Sequence, residues 1–575
     1  MTKTYNGYEL NYSVDELKNM IEEEMTDITL ISKDFPSYLD LEEGDKKALQ
    51  HLVAAAKILN NVALKQDNAE NLAQKEALET AAQNGDEHAA LALKLFNSIN
   101  GVSGLNGIDK EPVQIFKGLL TPAGKNFYPE DLSVSEFHQI LLNMFEAGEI
   151  KEISQILSSR TMVRREGKKL KAIDYTEYFK QEFSDMANEL EVAAHYCTND
   201  LFKEFLSWQA QALLQNNLDM DMLADKHWAM MQDTPLEFTI SRENYDDEIT
   251  PTVWENKELT ALIRQHSIEV VAKDMLGARV GIVNQEGTKL LLSFKDTMPK
   301  LSSLMPFADK YTQSISTSKE LKQNMVDVDL AALTGDYAQC RGGITVAQNL
   351  PNNDKLAVKT GGGRRNVYHR QVRLSQDTKR TQEFLNTFVH PDFHKYYDLE
   401  ADHIFVIGHE NGHSLGPSSE YQNSPGICKS IIEENKADSV SISFMPEYVK
   451  QGVITEEQLK KIYTSWISKR LLLAAKPIFP TETYKIVDLI EFNTLLKAGA
   501  IFFDENKLLH IVFEKVSPAI YELLTKVIDI QLSKSPASAR RYIEENTEWN
   551  ELHEYISATR KKLGLKKYKN IVTYF

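Results

Sequence analysis

The chain has little cysteine, and its few cysteines are far apart. Cys197, Cys340 and Cys428 are an odd number of thiols in 575 residues, so they indicate neither a disulfide framework nor a cysteine-based zinc site. No stretch reaches the eighteen or so uninterrupted apolar residues of a membrane span, and the N-terminus lacks the apolar core of a signal peptide. We therefore expect a cytoplasmic protein with no membrane contact.

Basic residues are also scarce relative to acidic ones. The chain has 65 lysines and arginines but 83 aspartates and glutamates, and the net charge of −18 argues against a nucleic-acid-binding surface. The hydrophobic share of 42% and the charged share of 26% are ordinary for a soluble globular protein. A chain of this length is expected to divide into roughly two to four domains or lobes.

What the chain does contain is a short metal-binding pattern. Residues His409 to His413 read H-E-N-G-H, and two histidines four positions apart on a helix can reach the same metal ion. Glu410, beside the first histidine, is then placed to act on a metal-activated water. An apolar run from His403 precedes the motif and Gly416-Pro417 follows it, as expected for a buried helix. The alternative is an exposed polar helix with both histidines at the surface.

A second acidic pattern, E-E-N-K-A-D, follows in a helix predicted from Ser430 to Phe444. On this helix and just before it, the residues Ile427, Ile431, Glu434 and Asp438 recur at helical spacing, so two acids lie on an otherwise apolar stripe. Buried carboxylates are costly unless they are paired or bind a metal. Two histidines with Glu434 would form the three-ligand set of a catalytic zinc site, with one open position and one Zn²⁺ per chain.

The rest of the chain is predicted to be helical at both ends and β-rich in the middle. Helices are predicted over residues 15–24, 44–65, 68–96, 133–148 and 176–217, and from 379 to the C-terminus apart from a hairpin near 502–513. A hairpin is predicted over 158–175, and strands are predicted to begin at Leu236, Arg279 and Gly342. Turns are predicted at 349–354 and at the glycines 361–363, which lack the lysine and following helix of a phosphate loop.

With R-E-N-Y-D-D at Arg242–Asp247 and N-L-P-N at Asn349–Asn352, these motifs resemble those of the dipeptidyl peptidase III family of zinc exopeptidases. That family pairs H-E-x-x-G-H with E-E-x-x-A-[ED]. The second motif matches in full, whereas the first is one residue shorter here but keeps its glycine at Gly412. The resemblance covers residues 236–575. The 21 positions from His413 to Glu434 are similar to the spacing in compact bacterial members.

The resemblance implies a role for each residue of the two zinc motifs. His409, His413 and Glu434 would bind zinc, and Glu410 would be the catalytic glutamate. Glu433 and Asp438 would orient the two histidines, a role with a clear physical reason because a held imidazole is a better ligand.

Outside the zinc motifs, the resemblance implies residues that bind the substrate. Glu243 would bind the free amine, Tyr245 would lie near the scissile carbonyl, and Asn349 and Asn352 would hold the N-terminal end of the peptide. Each also has a structural interpretation: the asparagines flank a proline and could cap a turn, the tyrosine could be a core residue, and the glutamate an ordinary surface acid.

Three further histidines require an interpretation. His510 is the candidate for a family histidine that stabilises the transition state, although it lies in a predicted strand. His390 and His394 also stand four positions apart, but Pro391 separates them and no acid follows in the catalytic pattern. We predict that they are loop residues.

The expected fold is α+β and mainly helical. It has two lobes with a cleft, a β-rich (barrel-like) element in one lobe, and the zinc site on helices of the other. The expected division is 1–264 for the N-terminal helices and the start of the β-rich lobe, 265–330 for part of the zinc lobe, 331–376 for the β-rich lobe, 377–540 for the zinc-binding catalytic lobe, and 541–575 for a helical segment that returns to the first lobe.

The expected function is release of dipeptides from the N-terminus of short peptides by zinc-dependent hydrolysis, with Glu410 as general base. Two alternatives stay open: a monoaminopeptidase or broader oligopeptidase on the same scaffold, and a catalytically weak peptide-binding protein. Short peptides are the expected partners of a monomer or weak dimer, with no nucleic acid and no membrane.

Overall fold

Helices form most of this chain in its computed structural model, which describes residues 3–106, 111–215, 218–243, 247–312, 323–339, 347–350, 364–375, 378–473, 475–564 and 566–575. Thirteen of the described helices lie before the end of the central sheet: α1 Val14–Glu24, α2 Pro36–Leu39, α3 Glu43–Asp67, α4 Asn71–Gln83, α5 Glu87–Ile99, α6 Val134–Glu146, α7 Ile150–Ile156, α8 Tyr175–Tyr178, α9 Lys180–Tyr196, α10 Asp200–Gln215, α11 Leu218–Met230, α12 Lys257–Gln265 and α13 Gln285–Leu304. Eleven more follow it: α14 Arg370–Leu374, α15 Thr378–Phe388, α16 Pro391–His394, α17 Leu399–His413, α18 Ser419–Gln422, α19 Lys429–Lys450, α20 Glu456–Arg470, α21 Thr483–Lys497, α22 Phe513–Ser533, α23 Pro536–Asn546 and α24 Glu551–Leu563.

The strands are short except in the middle of the chain. They are β1 Thr4–Tyr5, β2 Tyr8–Glu9, β3 Met25–Thr29, β4 Ser103–Leu105, β5 Pro112–Gln114, β6 Thr161–Glu166, β7 Lys169–Asp174, β8 Leu236–Glu243, β9 Met275–Asn284, β10 Gln323–Gly335, β11 Ala347–Leu350, β12 Arg364–His369, β13 Ile501–Phe503, β14 Leu509–Ile511 and β15 Tyr568–Val572. Five of them form one curled sheet in the order β11-β12-β10-β9-β8, in which only the β10–β12 pair is parallel.

Two large hydrophobic cores correspond to the two lobes. The first contains the inner faces of α3, α9 and α10 together with β8, β9 and much of β10. The second is built from α13, α17 and the long helices α19 to α22, and it contains the zinc motifs. The expected α+β, two-lobed architecture is confirmed, whereas the finer domain boundaries stay a prediction.

A buried polar contact joins the sheet to α17, the helix that carries the H-E-N-G-H motif. Asp327 of β10 accepts a hydrogen bond from Arg370 and lies 3.5 Å from Nε2 of His403 in α17. Tyr368 of β12 packs edge-on against the His403 ring, with the ring centroids 5.9 Å apart. One face of the sheet therefore meets the lobe that carries the zinc motifs.

Local signals in the sequence predicted several elements correctly. Ser133 caps α6 by accepting a hydrogen bond from the amide of Glu136, and Gly148, just past its end, has a φ of +75°. The basic segment from 161 to 174 is a hairpin, with Gly167 in its turn at a φ of +63°. The hairpin expected near 502–513 is β13–β14.

Other predictions were wrong. The helix expected over 68–96 is two helices, because Gly85 adopts a φ of +84° and Asp86 caps α5. The C-terminus is not helical throughout, since β15 pairs in parallel with β3. The strand expected at Arg279 begins at Met275 and ends at Asn284, whose side chain caps α13.

The turn expected at 349–354 is also wrong at its start, because Asn349 belongs to strand β11. Of the strand expected from Gly342, only residues 347 and 348 are described, and both belong to β11. The triple glycine 361–363 lies outside the described residues. Among the described helices, none has the length and apolar character needed to cross a lipid bilayer.

Candidate metal centre

Helices α17 and α19 cross so closely that a side chain would not fit at their contact. A Cβ on Gly412 would lie 2.7 Å from the carbonyl oxygen of Ala437, and one on Gly408 would collide with Ser441. Ser441 also donates a 2.8 Å hydrogen bond to the backbone carbonyl of Phe405. The glycine within H-E-N-G-H thus allows the second motif to approach the first.

The two histidines and Glu434 converge at this crossing. The Nε2 atoms of His409 and His413 are 3.1 Å apart. Oε2 of Glu434 lies 3.4 Å from Nε2 of His409 and 3.8 Å from Nε2 of His413. Helix α17 runs regularly through His413, so the five-residue motif aligns both imidazoles by ordinary i, i+4 spacing.

A carboxylate lies behind each imidazole. Asp438 is hydrogen-bonded to Nδ1 of His409, and Glu433 to Nδ1 of His413 at 3.0 Å. These contacts leave both Nε2 atoms directed toward Glu434. Carboxylates in this position fix the ring orientation and increase the basicity of the imidazole, which strengthens it as a ligand.

These charge pairs shift the pKa values of the groups involved. Burial alone would raise the pKa of Glu433, but the ammonium of Lys436 and the imidazole of His413 hold it at about 2. Burial opposes ionisation of His409 as well, yet its hydrogen bond to Asp438 and the nearby carboxylate of Glu434 raise the pKa of this histidine well above its usual value. The cluster therefore concentrates negative charge that favours a cation.

This donor set fits a divalent metal ion. Oε2 of Glu434 is buried and accepts no hydrogen bond from the described residues, so it is a costly atom to leave without a partner. The three ligand atoms, one from each of His409, His413 and Glu434, lie within 4.8 Å of one another. Two imidazoles and one carboxylate form the protein ligand set of catalytic zinc sites.

Two cations behind the acids were not found from the sequence. Lys436, inside the second motif, contacts Glu433 at 2.9 Å and donates to the carbonyl of Leu415. Arg470 of α20 contacts Asp438 at 2.7 Å and Glu491 of α21 at 2.6 Å. The contact of Lys436 could have been predicted, because it lies three positions after Glu433 on the same helix. The contacts of Arg470 could not, because they depend on the packing of three helices.

Glu410 lies half-buried beside the three converging ligands. Burial and then the negative charge of Glu410 hold the pKa of Tyr368, in β12, well above its usual value. Desolvation, then the charges of Glu434 and Glu410, likewise raise the pKa of Tyr484 at the start of α21. The sequence did not single out either tyrosine.

The structure does not place the predicted substrate-binding residues side by side. Glu243 ends β8 and Asn349 lies in β11, and these are the two edge strands of the five-stranded sheet. Tyr245 and Asn352 lie outside the described residues. Their roles stay predictions.

Two residues near the motifs have different surroundings from those expected. Ile427 precedes α19 as expected, but it does not belong to a buried apolar stripe, because it is 67% exposed. His510 lies in β14 as predicted, yet its contacts are with Asp504, Phe502, Phe393 and His390. In the described residues, no contact joins His510 to the zinc motifs.

The fold is that of dipeptidyl peptidase III. The structure of this enzyme from Caldithrix abyssi matches with a TM-score of 0.75 and 23% identity, over 96% of this chain and 98% of that one. The structure from Corallococcus sp. strain EGB matches with a TM-score of 0.65 and 19% identity, over 96% and 97% of the respective chains. The resemblance drawn from the motifs is thereby confirmed for the fold.

The sequence comparisons extend less far than the fold. No family model matches the chain. Nudix hydrolase 3 of Arabidopsis thaliana is 22% identical over 547 aligned residues, which include 86% of this chain. The chain spans only 66% of the length of that relative.

We expect Asp438→Asn and Glu433→Gln to weaken zinc binding by roughly 10- to 100-fold each, because each loosens one imidazole without removing a ligand. A competition titration against a chromophoric chelator measures this affinity. Glu447→Gln is the matched control, since Glu447 lies on the same helix and pairs with Lys450. Unchanged affinity in both acid variants would contradict the role of these carboxylates.

Proposed function

We propose that this chain is a zinc-dependent peptidase that releases dipeptides from the N-terminus of short peptides. One observation carries the proposal: two imidazoles, each held by a carboxylate, converge with a buried and unbonded carboxylate oxygen on the dipeptidyl peptidase III fold. His409, His413 and Glu434 would hold the ion. Zinc bound there would polarise the scissile carbonyl and lower the pKa of a water molecule toward about 7.

The protein groups around the ion would move protons and orient the reactants. Glu410 would accept the proton of the attacking water and then deliver it to the leaving amine. Asp438 and Glu433 would keep both imidazoles turned toward the ion. Tyr245 would donate a hydrogen bond to the developing oxyanion.

The amine end of the peptide would be held by groups of the β-rich lobe. An α-ammonium has three donors and is best satisfied by a carboxylate together with carbonyl-type oxygens. We assign the carboxylate to Glu243 and the amide oxygens to Asn349 and Asn352. The distance between this anchor and the ion would determine whether two residues are released or one.

The proposal also covers the substrates, the compartment and the oligomeric state of the protein. Short peptides are its substrates, and the protein acts in the cytoplasm as a monomer or weak dimer. The reduced thiols Cys197 and Cys428, both buried, are compatible with that compartment.

The purified protein is expected to keep about one tightly bound zinc per chain after gel filtration. His413→Ala should lose most of it, because two of the three ligands hold a metal poorly. Elemental analysis of both proteins measures this. His394→Gln serves as the control, since His394 bonds the backbone carbonyl of Val389 and lies outside the converging cluster. Equal zinc content in His413→Ala and the parent would rule out the assigned ligands.

A further inference from the structure

A second group of metal-binding side chains lies apart from the zinc motifs. His390, Asp504 and His510 each offer one ligand atom, and these three atoms lie within 4.8 Å of one another. The His390 and His510 rings are 4.2 Å apart between centroids, and Nε2 of His510 is 3.2 Å from Oδ2 of Asp504. All three side chains are partly exposed, between 23% and 29%.

The backbone holds these three residues in place. Asp504 lies in the turn between β13 and β14, where Oδ1 accepts hydrogen bonds from the amides of Asn506 and Leu508 at 2.9 and 3.0 Å. His510 is part of β14 itself. His390 is tied to the same strand, because its amide donates a 3.0 Å hydrogen bond to the carbonyl of Leu509. The group is therefore preorganised rather than assembled from mobile side chains.

His390 and Asp504 each hold backbone amide groups with one polar atom and keep a second atom for another partner. Nδ1 of His390 accepts a hydrogen bond from the amide of Asp392 as the cap of α16, which leaves its Nε2 for another partner. Asp504 uses Oδ1 for the turn and presents Oδ2 to His510. Hydrogen bonds from the amide of Leu508 and from His510 hold the pKa of Asp504 below its usual value, so the carboxylate is ionised at neutral pH.

A simple ion pair between Asp504 and His510 would account for only one of these contacts. It gives the second imidazole, His390, no part, although the His390 ring lies 4.2 Å from that of His510 between centroids. One ion bound by all three groups would account for the convergence of both imidazoles and the carboxylate. Zinc–nitrogen bonds of about 2.0–2.1 Å at tetrahedral angles put ligand atoms about 3.3 Å apart, close to the observed 3.2 Å.

We propose that His390, Asp504 and His510 form a second metal site, specific for a divalent transition-metal ion such as Zn²⁺. Imidazole ligands favour such ions over Mg²⁺ and Ca²⁺, which prefer all-oxygen shells. The site binds more weakly than the first, because its side chains are more exposed on average and its histidine–carboxylate contact behind His390, 3.5 Å to Asp392, is longer than those behind His409 and His413.

A bound ion would join segments that are distant in sequence. His390 caps α16, whereas Asp504 and His510 belong to the β13–β14 hairpin. Binding at this corner therefore stabilises the folded chain by mass action. The assignment also gives His510 a role separate from peptide hydrolysis.

The test uses the full chain with His413→Ala as the background, so that the first site is disabled. Zinc is titrated in competition with a chromophoric chelator, and the melting temperature is recorded with and without zinc. The added substitutions are His510→Gln and Asp504→Asn, which retains an oxygen for the turn amides. His394→Gln is the control because it lies next to the site without contributing to it.

We expect one weak equivalent of zinc and a zinc-dependent rise in melting temperature in the background protein and in the His394→Gln control. Both effects should be lost with His510→Gln and reduced at least tenfold in affinity with Asp504→Asn. Mg²⁺ and Ca²⁺ should produce neither effect. Absence of the weak equivalent from the background protein, or its persistence in His510→Gln, would overturn the second site while leaving the first unaffected.

Discussion

Replacing Glu410 by glutamine is expected to lower kcat by roughly two to four orders of magnitude while leaving the zinc content near one per chain. The amide keeps the size of the side chain but cannot accept a proton, and general-base catalysis by a positioned side chain contributes about 10²- to 10⁴-fold. Because Glu410 is not among the converging ligand residues, the metal should remain bound.

Glu400→Gln is the matched control for this experiment. Glu400 lies in the first turn of the same helix, where its side chain is 59% exposed and pairs with Arg370. It should retain the parent rate. If Glu410→Gln keeps more than about a tenth of the parent kcat with zinc in place, Glu410 is not the base.

Replacing Glu243 by alanine is the second change with a large expected effect. A free α-ammonium buried beside this carboxylate would form a strong pair, and its loss should cost on the order of 2–5 kcal/mol in kcat/KM. Zinc content should not change, because Glu243 ends strand β8 in the sheet rather than lying in the zinc helices. Steady-state kinetics on a short peptide with a free N-terminus measures the effect.

Two controls show whether the effect of Glu243→Ala depends on the free amine of the peptide and on this particular residue. N-acetylated peptides should be poor substrates for the parent and should lose little further activity in Glu243→Ala. Glu248→Ala, an exposed acid five positions along, should behave like the parent. If the parent cleaves free and blocked peptides equally well, the amine anchor does not exist and the enzyme is not an N-terminal exopeptidase.

The zinc motifs could be predicted because their geometry is local. The spacing between His409 and His413 follows from one helical turn, whereas the close contact between Gly412 and Ala437 was not predicted, because it depends on how two helices pack. The spacing of Glu434 and Asp438 likewise follows from one helix. The ion pairs of Arg470 could not be predicted, since they depend on how α19, α20 and α21 pack together.

The incorrect predictions of the fold arose mostly where pairing between segments overrode a local sequence pattern. Strand β15 forms only because β3, more than five hundred residues earlier in the chain, offers a parallel partner. Asn349 was expected in a turn because asparagine and proline favour turns, but pairing with β12 keeps it extended. Likewise, His390 and His394 were expected in a loop: His390 does lie outside the helix, as the cap of α16, but His394 belongs to this short helix, which Pro391 begins.

The central claim is tested most directly by the hydrolysis of a dipeptidyl arylamide and a single-residue arylamide, each measured before chelation, after chelation and after zinc is restored. We predict that the dipeptidyl substrate is cleaved much faster, that chelation abolishes this activity and that zinc returns it. Faster cleavage of the single-residue substrate would instead indicate a monoaminopeptidase. Activity that survives removal of the metal, or no cleavage of either substrate by the zinc-loaded protein, would contradict the account.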